Sequence, residues 1–286
     1  MRHIQHPGNP PIHPVVAVSC LTDSFNCQIE PGKTLLDSIN QVIQKTGMKS
    51  GVLRLSGGAL GHFCYYMPAL SQKSEYAVYF SDRYDVAGVV KLESASVTFG
   101  LRDGLPWLHC HAIWVEPDGS RRCGHLIPDI NFVVEPIQAD LTVLDGATFT
   151  VSPDAETNFS LFTPFRVEKL NNTKPMRSGF ALRLAPNIDV CHALETFCAE
   201  NELDDVEILG GVGSTVGAEF ENGKAVDPFV TEVFIRSGRI KMSSQGAHQA
   251  EIDVSLIDYT GGLSEGRLKR GENPVLVTFE LVLRPN

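Results

Sequence analysis

The sequence lacks the features of membrane-spanning, exported and disulfide-bonded proteins. No apolar run approaches the roughly 20 residues that cross a bilayer, and the longest, Val275–Phe279, is typical of a strand. The amino terminus has no apolar core of the kind found in signal peptides. The seven cysteines are odd in number and lack framework spacing, so we expect reduced thiols. These absences predict a cytoplasmic protein without a membrane partner.

Basic charge is also scarce. Lys and Arg total 24 against 34 Asp and Glu, which gives a formal net charge of −10 at pH 7. Such a protein repels a phosphate backbone on average, so nucleic-acid binding would require a local basic patch. The basic pairs Arg121-Arg122 and Lys269-Arg270 are isolated from each other in the sequence. The composition therefore disfavours nucleic acid as a partner.

What is present is an ordinary globular composition that contains an internal repeat. Hydrophobic residues make up 43% and charged residues 20% of 286 residues, enough for two domains of typical size. A helical stripe is followed 155 residues later by a second stripe with identical spacing, Leu35, Leu36, Ile39, Val42, Ile43 and then Val190, Cys191, Leu194, Phe197, Cys198. In both halves a strand and a predicted glycine turn follow, at 57–58 and at 210–213. The chain therefore contains two copies of one domain.

One helix per repeat among many β-branched segments predicts an α+β fold. Each copy is expected to be a mostly antiparallel sheet covered by a helix. We predict the following division: an extended N-terminal arm at 1–13, a first domain at 14–145, a linker region at 146–174 and a second domain at 175–286. The linker assignment depends on turn sequences such as Asp145-Gly146 and Ser152-Pro153-Asp154.

Three histidines form the densest local chemistry. His109 and His111 lie two apart in the predicted strand 107–115, so both side chains emerge on one face, while Cys110 points to the other. The sequence Pro117-Asp118-Gly119 fits a three-residue hairpin loop, which places His111 opposite His125 on the next strand. A lone histidine in a strand more often belongs to the core, but three converging imidazoles favour a metal. Zinc bound by three histidines keeps a fourth position for water or substrate.

These motifs resemble the plants-and-prokaryotes conserved (PPC) domain. The similarity is carried by Leu108-His109-Cys110-His111, by Gly124-His125-Leu126, and by the turn at 56–60 and the helix start at 30–32. The similarity covers residues 14–142, and a weaker similarity covers residues 175–286. The resemblance implies an α+β domain that assembles as a homotrimer, in which His109, His111 and His125 bind zinc or another divalent transition metal. Bacterial members are often described as DNA-binding, but the AT-hook of plant members is not in this sequence.

The second repeat departs from the histidine pattern. A shift of 142 residues places Glu251, Asp253 and Arg267 where the first repeat has its histidines. One interpretation is a self-neutralising cluster, because Arg267 can pair with either carboxylate. The other is an anion-recognition or acid/base site that faces a substrate.

Three functional hypotheses follow. The first is a metal-dependent enzyme, a hydrolase or lyase, acting on a small carboxylate-bearing molecule, with catalytic residues that the sequence does not assign. The second is a DNA-associated regulator, as the family description suggests. The third is a metal- or metabolite-binding scaffold without turnover. The histidine pattern favours metal binding more than it favours enzymatic turnover. The net charge disfavours DNA binding.

Overall fold

The computed structural model describes residues 2–170 and 175–286. The first domain contains one helix and a series of strands: β1 (Val15–Ile29), α1 (Leu35–Gln44), β2 (Gly51–Ser56), β3 (Ala59–Gly61), β4 (Phe63–Tyr66), β5 (Pro68–Leu70), β6 (Val78–Phe80), β7 (Tyr84–Val86), β8 (Val90–Arg102), β9 (Leu105–Val115), β10 (Arg121–Leu126), β11 (Phe132–Glu135) and β12 (Ile137–Asp145). A hairpin follows, β13 (Ala147–Pro153) and β14 (Ser160–Arg166). The second domain contains β15 (Arg177–Leu184), α2 (Val190–Glu200), β16 (Asp205–Glu219), β17 (Ala225–Met242), β18 (His248–Asp258), β19 (Leu263–Arg267) and β20 (Val275–Pro285).

Both helices begin where the sequence predicts and bury the predicted stripe. Thr34 caps α1 by accepting a hydrogen bond from the Asp37 N–H, and Asp189 caps α2 in the same way from His192. The stripe of α1 packs into the core of the first domain and that of α2 into the core of the second. The α+β architecture of two repeated domains is therefore confirmed.

The strands of each domain follow the same antiparallel order. In the first domain β1 pairs with β12, β12 with β2, β2 with β8, and β8 with β9. In the second, β15 pairs with β20, β20 with β16, β16 with β17, and β17 with β18. Among the strands that the structure describes, β8 and β13 form the one parallel pair. The repeat seen in the sequence is thus a repeat of topology.

The two domains pack closely against each other. The first half of β1 pairs antiparallel with β15 of the second domain. An apolar cluster spans the junction and includes Val52 and Phe149 from one side and Leu209 and Val282 from the other. The Gly211 N–H donates a hydrogen bond to Ser96 Oγ, 3.2 Å away. Any group at this junction therefore lies between the two domains.

Two expectations about turns are corrected by the structure. The stretch 146–174, predicted as a linker, contains the β13–β14 hairpin within its described part, because its turn residues close a hairpin rather than separate two domains. Glycines 210, 211 and 213, predicted as a turn, lie inside β16. A Cβ at Gly213 would meet Phe279 and Thr278 at 2.5 Å, so the absent side chain allows close packing of β20.

The N-terminal arm has no regular secondary structure from residue 2 to 14, but it is anchored on the second domain. The Arg2 guanidinium donates to the Val226 carbonyl at 2.6 Å, and the Ile4 N–H donates to Asn187 Oδ1 at 2.8 Å. His6 is buried and donates from Nε2 to the Leu276 carbonyl at 2.6 Å. Neither described helix is long and apolar enough to cross a membrane.

Candidate metal centre

Strands β9 and β10 bring the three predicted histidines together. The Glu116 N–H donates to the Ser120 carbonyl at 2.9 Å and Gly119 has φ of +86°, which closes the predicted loop. His111 therefore lies directly opposite His125 in the β9–β10 ladder. One ligating atom from each of His109, His111 and His125 lies within 4.8 Å of the others. The register prediction is confirmed, and Cys110 points into the core on the opposite face.

Hydrogen bonds on the outer nitrogens fix how two of these imidazoles are oriented. His111 Nδ1 donates to the Val233 carbonyl at 2.9 Å, since a carbonyl only accepts. His109 Nδ1 contacts the Glu280 carboxylate. Both rings therefore turn Nε2 inward, and these two Nε2 atoms are 3.1 Å apart. With both Nδ1 atoms protonated, two neutral rings would direct lone pairs at each other.

Burial disfavours the protonated forms of His111 and His125. Burial, followed by the neighbouring rings of His109 and His125, lowers the pKa of His111 well below its usual range. Burial and His109 lower the pKa of His125 in the same direction. Neutral imidazole is the form that ligates a metal. His125 Nδ1 is buried and has no hydrogen-bond partner among the described residues.

The second domain contributes two buried carboxylates that sequence reasoning missed. Glu280 on β20 contacts His109 and is fully buried. Glu232 on β17 places Oε1 3.7 Å from His125 Nδ1 and 3.9 Å from His111 Nε2, and burial raises its pKa well above the usual range. The Oε2 atom of each has no described partner. The only sequence signal was that Glu280 is the one acidic residue of β20 and that Glu232 is the one acidic residue in the run Phe229–Ile235 of β17.

Two cavities open beside the cluster. One, of about 80 Å³, lies between the histidines and an apolar wall that includes Val78, Val230 and Leu276. The other, of about 240 Å³, is lined by His109, His125 and several aromatic rings. The site therefore has room for a small organic molecule on the side of the imidazoles that faces away from the core.

The donor set fits a divalent transition metal. Ligands of a tetrahedral ion at 2.0–2.1 Å lie about 3.3 Å from each other, close to the Nε2 separation seen here. The contact of His109 Nδ1 with a carboxylate and of His111 Nδ1 with a carbonyl is the arrangement that orients metal-ligating histidines. His125 Nδ1 and the Oε2 atoms of Glu232 and Glu280 are buried without a hydrogen-bond partner among the described residues. A bound cation would interact favourably with these atoms.

The sequence profile of the Plants and Prokaryotes Conserved (PCC) domain matches residues 21–145 and again 172–285. The chain belongs to this family. The three histidines lie in the first matched segment, and the two buried glutamates lie in the second. A single candidate site is thus assembled from two family domains of one chain.

Several solved structures are similar to about half of this chain. A plant- and prokaryote-conserved protein of Pyrococcus horikoshii is 19% identical, covers 52% of this chain and 97% of its own, and has a TM-score of 0.41. A protein of Archaeoglobus fulgidus described as metal-containing is 16% identical, with 57% and 99% covered and a TM-score of 0.40. A candidate DNA-binding protein of Bacteroides thetaiotaomicron is 13% identical, with 49% and 91% covered and a TM-score of 0.37. Among proteins with curated descriptions, none matches the chain.

In the second family domain the equivalent positions are also brought together, but on the surface. Asp253 lies opposite Arg267, as His111 lies opposite His125. Arg267 donates two hydrogen bonds to Asp253, both at 3.1 Å, and its Nη1 lies 3.1 Å from Glu251. The hydrogen bond from Arg267 lowers the pKa of Asp253. The trio lines a separate surface pocket and does not reach the cavities beside the histidines.

Proposed function

We propose that the chain holds one divalent transition-metal ion, with zinc as the expected ion, on His109, His111 and His125. We further propose that this centre binds and activates a small organic molecule in the adjacent cavities, as a hydrolase or lyase would. The ligand set, the metal identity and the reaction class are the content of the proposal. It follows the first functional hypothesis and leaves catalytic residues unassigned.

The proposal is carried by one observation, the pair of inward Nε2 atoms on His109 and His111 at 3.1 Å. Each ring already has an acceptor at Nδ1. When each ring donates from Nδ1, the two Nε2 atoms are free to share one cation between them. Burial of the Glu232 and Glu280 carboxylates beside them favours a positive charge at the same place.

The surrounding residues define what a bound molecule meets. When bound, the ion supplies a Lewis acid that polarises a carbonyl or makes water a stronger nucleophile. Glu280 holds the His109 ring in place, and the Val233 carbonyl holds His111. Glu232 presents Oε2 without a described partner, so a hydrogen-bonding group of the bound molecule can contact it. The apolar wall of the smaller cavity excludes bulk water.

The metal proposal is tested by elemental analysis of protein purified without chelators. We expect about one transition-metal ion per chain in the wild type and loss of the ion in His111→Ala, because two remaining imidazoles bind far more weakly than three. His248→Ala is the matched control, since His248 is buried on β18 and donates to the Leu203 carbonyl. Adding back the ion should raise the melting temperature of the wild type and of His248→Ala, and should leave that of His111→Ala unchanged. Full metal content in a folded His111→Ala protein would contradict the site.

The structure gives little support to the DNA-associated alternative. Arg121 is paired with Glu93 and Glu265, Lys269 with Glu219, and Arg270 with Glu195. Three of the four residues in the two basic pairs are therefore neutralised within the chain. At a net charge of −10, binding of duplex DNA is expected to stay in the weak non-specific range of about 10⁻⁴ M.

The homotrimer that the resemblance implies stays a prediction. Because both halves of the histidine site come from one chain, the site does not require a second subunit to form. Closed cyclic assembly would satisfy every interface between chains. Light scattering should give a mass about three times 31.3 kDa, and a concentration-independent mass of one chain would contradict the trimer without affecting the metal centre.

A further inference from the structure

Arg102 lies at the tip of the hairpin that carries two of the three histidines. β8 ends at Arg102, which pairs across the hairpin with Leu105 at the start of β9. The connecting residues Asp103 and Gly104 have φ of +52° and +77°. Positive φ at both central residues is the requirement of a type I′ turn, which matches the twist of the flanking strands. The backbone that carries Arg102 is therefore held by a tight turn.

The Arg102 side chain is positioned but has no acceptor. Its Cζ atom lies 5.1 Å from the centre of the Trp107 ring, within the range of a cation–π contact. In the part of the chain that the structure describes, no hydrogen bond or carboxylate joins this guanidinium. Most other arginines have an acidic partner: Arg2, Arg83, Arg121, Arg183, Arg236, Arg239, Arg267, Arg270 and Arg284. Arg102 thus offers a stacked guanidinium with free donors.

One face of the hairpin leads from this guanidinium to the metal centre. Trp107, His109 and His111 occupy alternate positions of β9, so their side chains share a face. Arg102 shares that face on β8, because its cross-strand partner Leu105 continues the same alternation. The cavity of about 240 Å³ runs along it and is lined by Arg102, Trp107, His109 and His125.

The remaining walls of this cavity indicate the shape and charge of its ligand. Tyr66, Phe80 and Phe159 contribute aromatic surface, which packs well against a flat apolar body. Arg102 is the one arginine or lysine among the lining residues, and the buried Glu280 lies at the inner end. A single guanidinium offers a fixed site for one anionic group of a ligand. A guanidinium binds a carboxylate through two parallel hydrogen bonds.

We propose that Arg102 binds the carboxylate of a small, flat monocarboxylic acid whose body lies in this cavity and whose other end reaches His109 and His125. The inference rests on the proposed function, since it takes the histidine centre as the place where that other end lies. The inference names the class of substrate that the metal centre would act on. It assigns anion recognition to Arg102 and not to Arg267, which is paired with Asp253 and Glu251.

The test is calorimetric titration of the full-length, metal-loaded protein with benzoate as the probe. Benzamide serves as its neutral analogue and phenyl phosphate as its dianionic one. The variants are Arg102→Gln, and Arg102→Lys, which keeps the charge but loses the fork of donors. Arg122→Gln is the matched control, because Arg122 is exposed on β10 and lines neither cavity.

We expect the wild type to bind benzoate at least about tenfold more tightly than benzamide. Arg102→Gln should weaken benzoate about 10- to 100-fold, the range for a charged hydrogen-bonded pair, and leave benzamide unchanged. Arg102→Lys should lie between, and Arg122→Gln should match the wild type. Equal benzoate affinity in Arg102→Gln and wild type, tighter binding of phenyl phosphate, or no benzoate binding at millimolar concentration would each overturn the inference.

The metal content of the same samples separates this inference from the proposed function. Arg102→Gln should retain the ion, since Arg102 is not a ligand. If the ion is present and benzoate ignores Arg102, the inference fails and the metal centre stands. If the wild type holds no metal yet benzoate binding depends on Arg102, the proposed function fails and the carboxylate site stands.

Discussion

The two domains differ most at the position where their topology is most alike. In each, a strand pair places two side chains directly opposite each other, His111 with His125 and Asp253 with Arg267. His111 is 2% exposed, whereas Arg267 is 36% exposed at its side chain. The same backbone therefore supports a largely buried histidine cluster in one copy and a partly exposed ion-pair cluster in the other. The shared strand pairing brings the side chains together in both copies. Their different exposure to solvent determines whether they form a buried or a solvated cluster.

The covering structure of the first domain follows from its greater length. The offset between equivalent residues falls from 155 at the helices to 142 at the histidine strand. The first copy is thus 13 residues longer between these points. The strands β4 to β6 lie in this stretch and contribute Tyr66, Pro68 and Phe80 to the cavity walls. The corresponding stretch of the second copy is shorter, and the side chains of its trio are 35% to 64% exposed.

The second domain nevertheless contributes to the histidine site. Glu280 contacts His109 from β20, whereas the residue at the equivalent position of β12 is Gln138, which is exposed. The carboxylate that contacts His109 is therefore found in the copy that lacks the three-histidine pattern. We infer that the second copy serves the first by supplying Glu280 and Glu232, which is a reason for two unlike copies to stay in one chain.

The largest effect that tests this comparison is expected from Glu280→Gln. The amide can still accept a hydrogen bond from His109 Nδ1, but it loses the negative charge that strengthens the imidazole as a ligand. Loss of such an outer partner typically weakens metal affinity about 10- to 100-fold. Competition with a chelator of known affinity measures the change. Glu251→Gln in the surface trio is the control and should leave the affinity unchanged. Equal affinities in both variants would mean that the second domain does not support the site.

Much of the first domain's contribution could be predicted from sequence because it is local. The loop Pro117-Asp118-Gly119 sets the hairpin register, and the register alone places His111 opposite His125. The helix stripes were equally readable, since the spacing of apolar residues determines which face is buried. The equivalence of Asp253 to His111 and of Arg267 to His125 also followed from sequence, because one offset of 142 residues holds across both strands.

The residues that sequence reasoning missed depend on contacts between domains. Glu232 and Glu280 are more than 100 residues from the histidines in sequence, and no periodicity in either strand predicts which partner they meet. The available signal was one acidic residue within a run of apolar residues, at Glu232 and at Glu280, because a buried acidic group needs a partner. The glycines of β16 were misassigned for a related reason: a strand glycine can mark close packing by a neighbouring strand as well as a turn.

The smallest effect is expected from Arg267→Gln, which tests whether the surface trio is an inert network. The pair with Asp253 is partly solvated, so its loss should lower the free energy of unfolding by less than about 1 kcal/mol. Because Arg267 lowers the pKa of the folded Asp253 carboxyl, the pair stabilises the protein above the unfolded pKa. That contribution disappears as the pH falls through the folded value.

The difference between Arg267→Gln and wild type should therefore be present at neutral pH and vanish in acid. Urea denaturation at both pH values measures it, and elemental analysis of the same samples should show unchanged metal content. A large loss of stability at neutral pH, or a loss of the ion, would show that the second trio is coupled to the histidine centre. The histidine centre and the trio of the second domain would then act together. The description of the second domain as only a support for the metal site would be wrong.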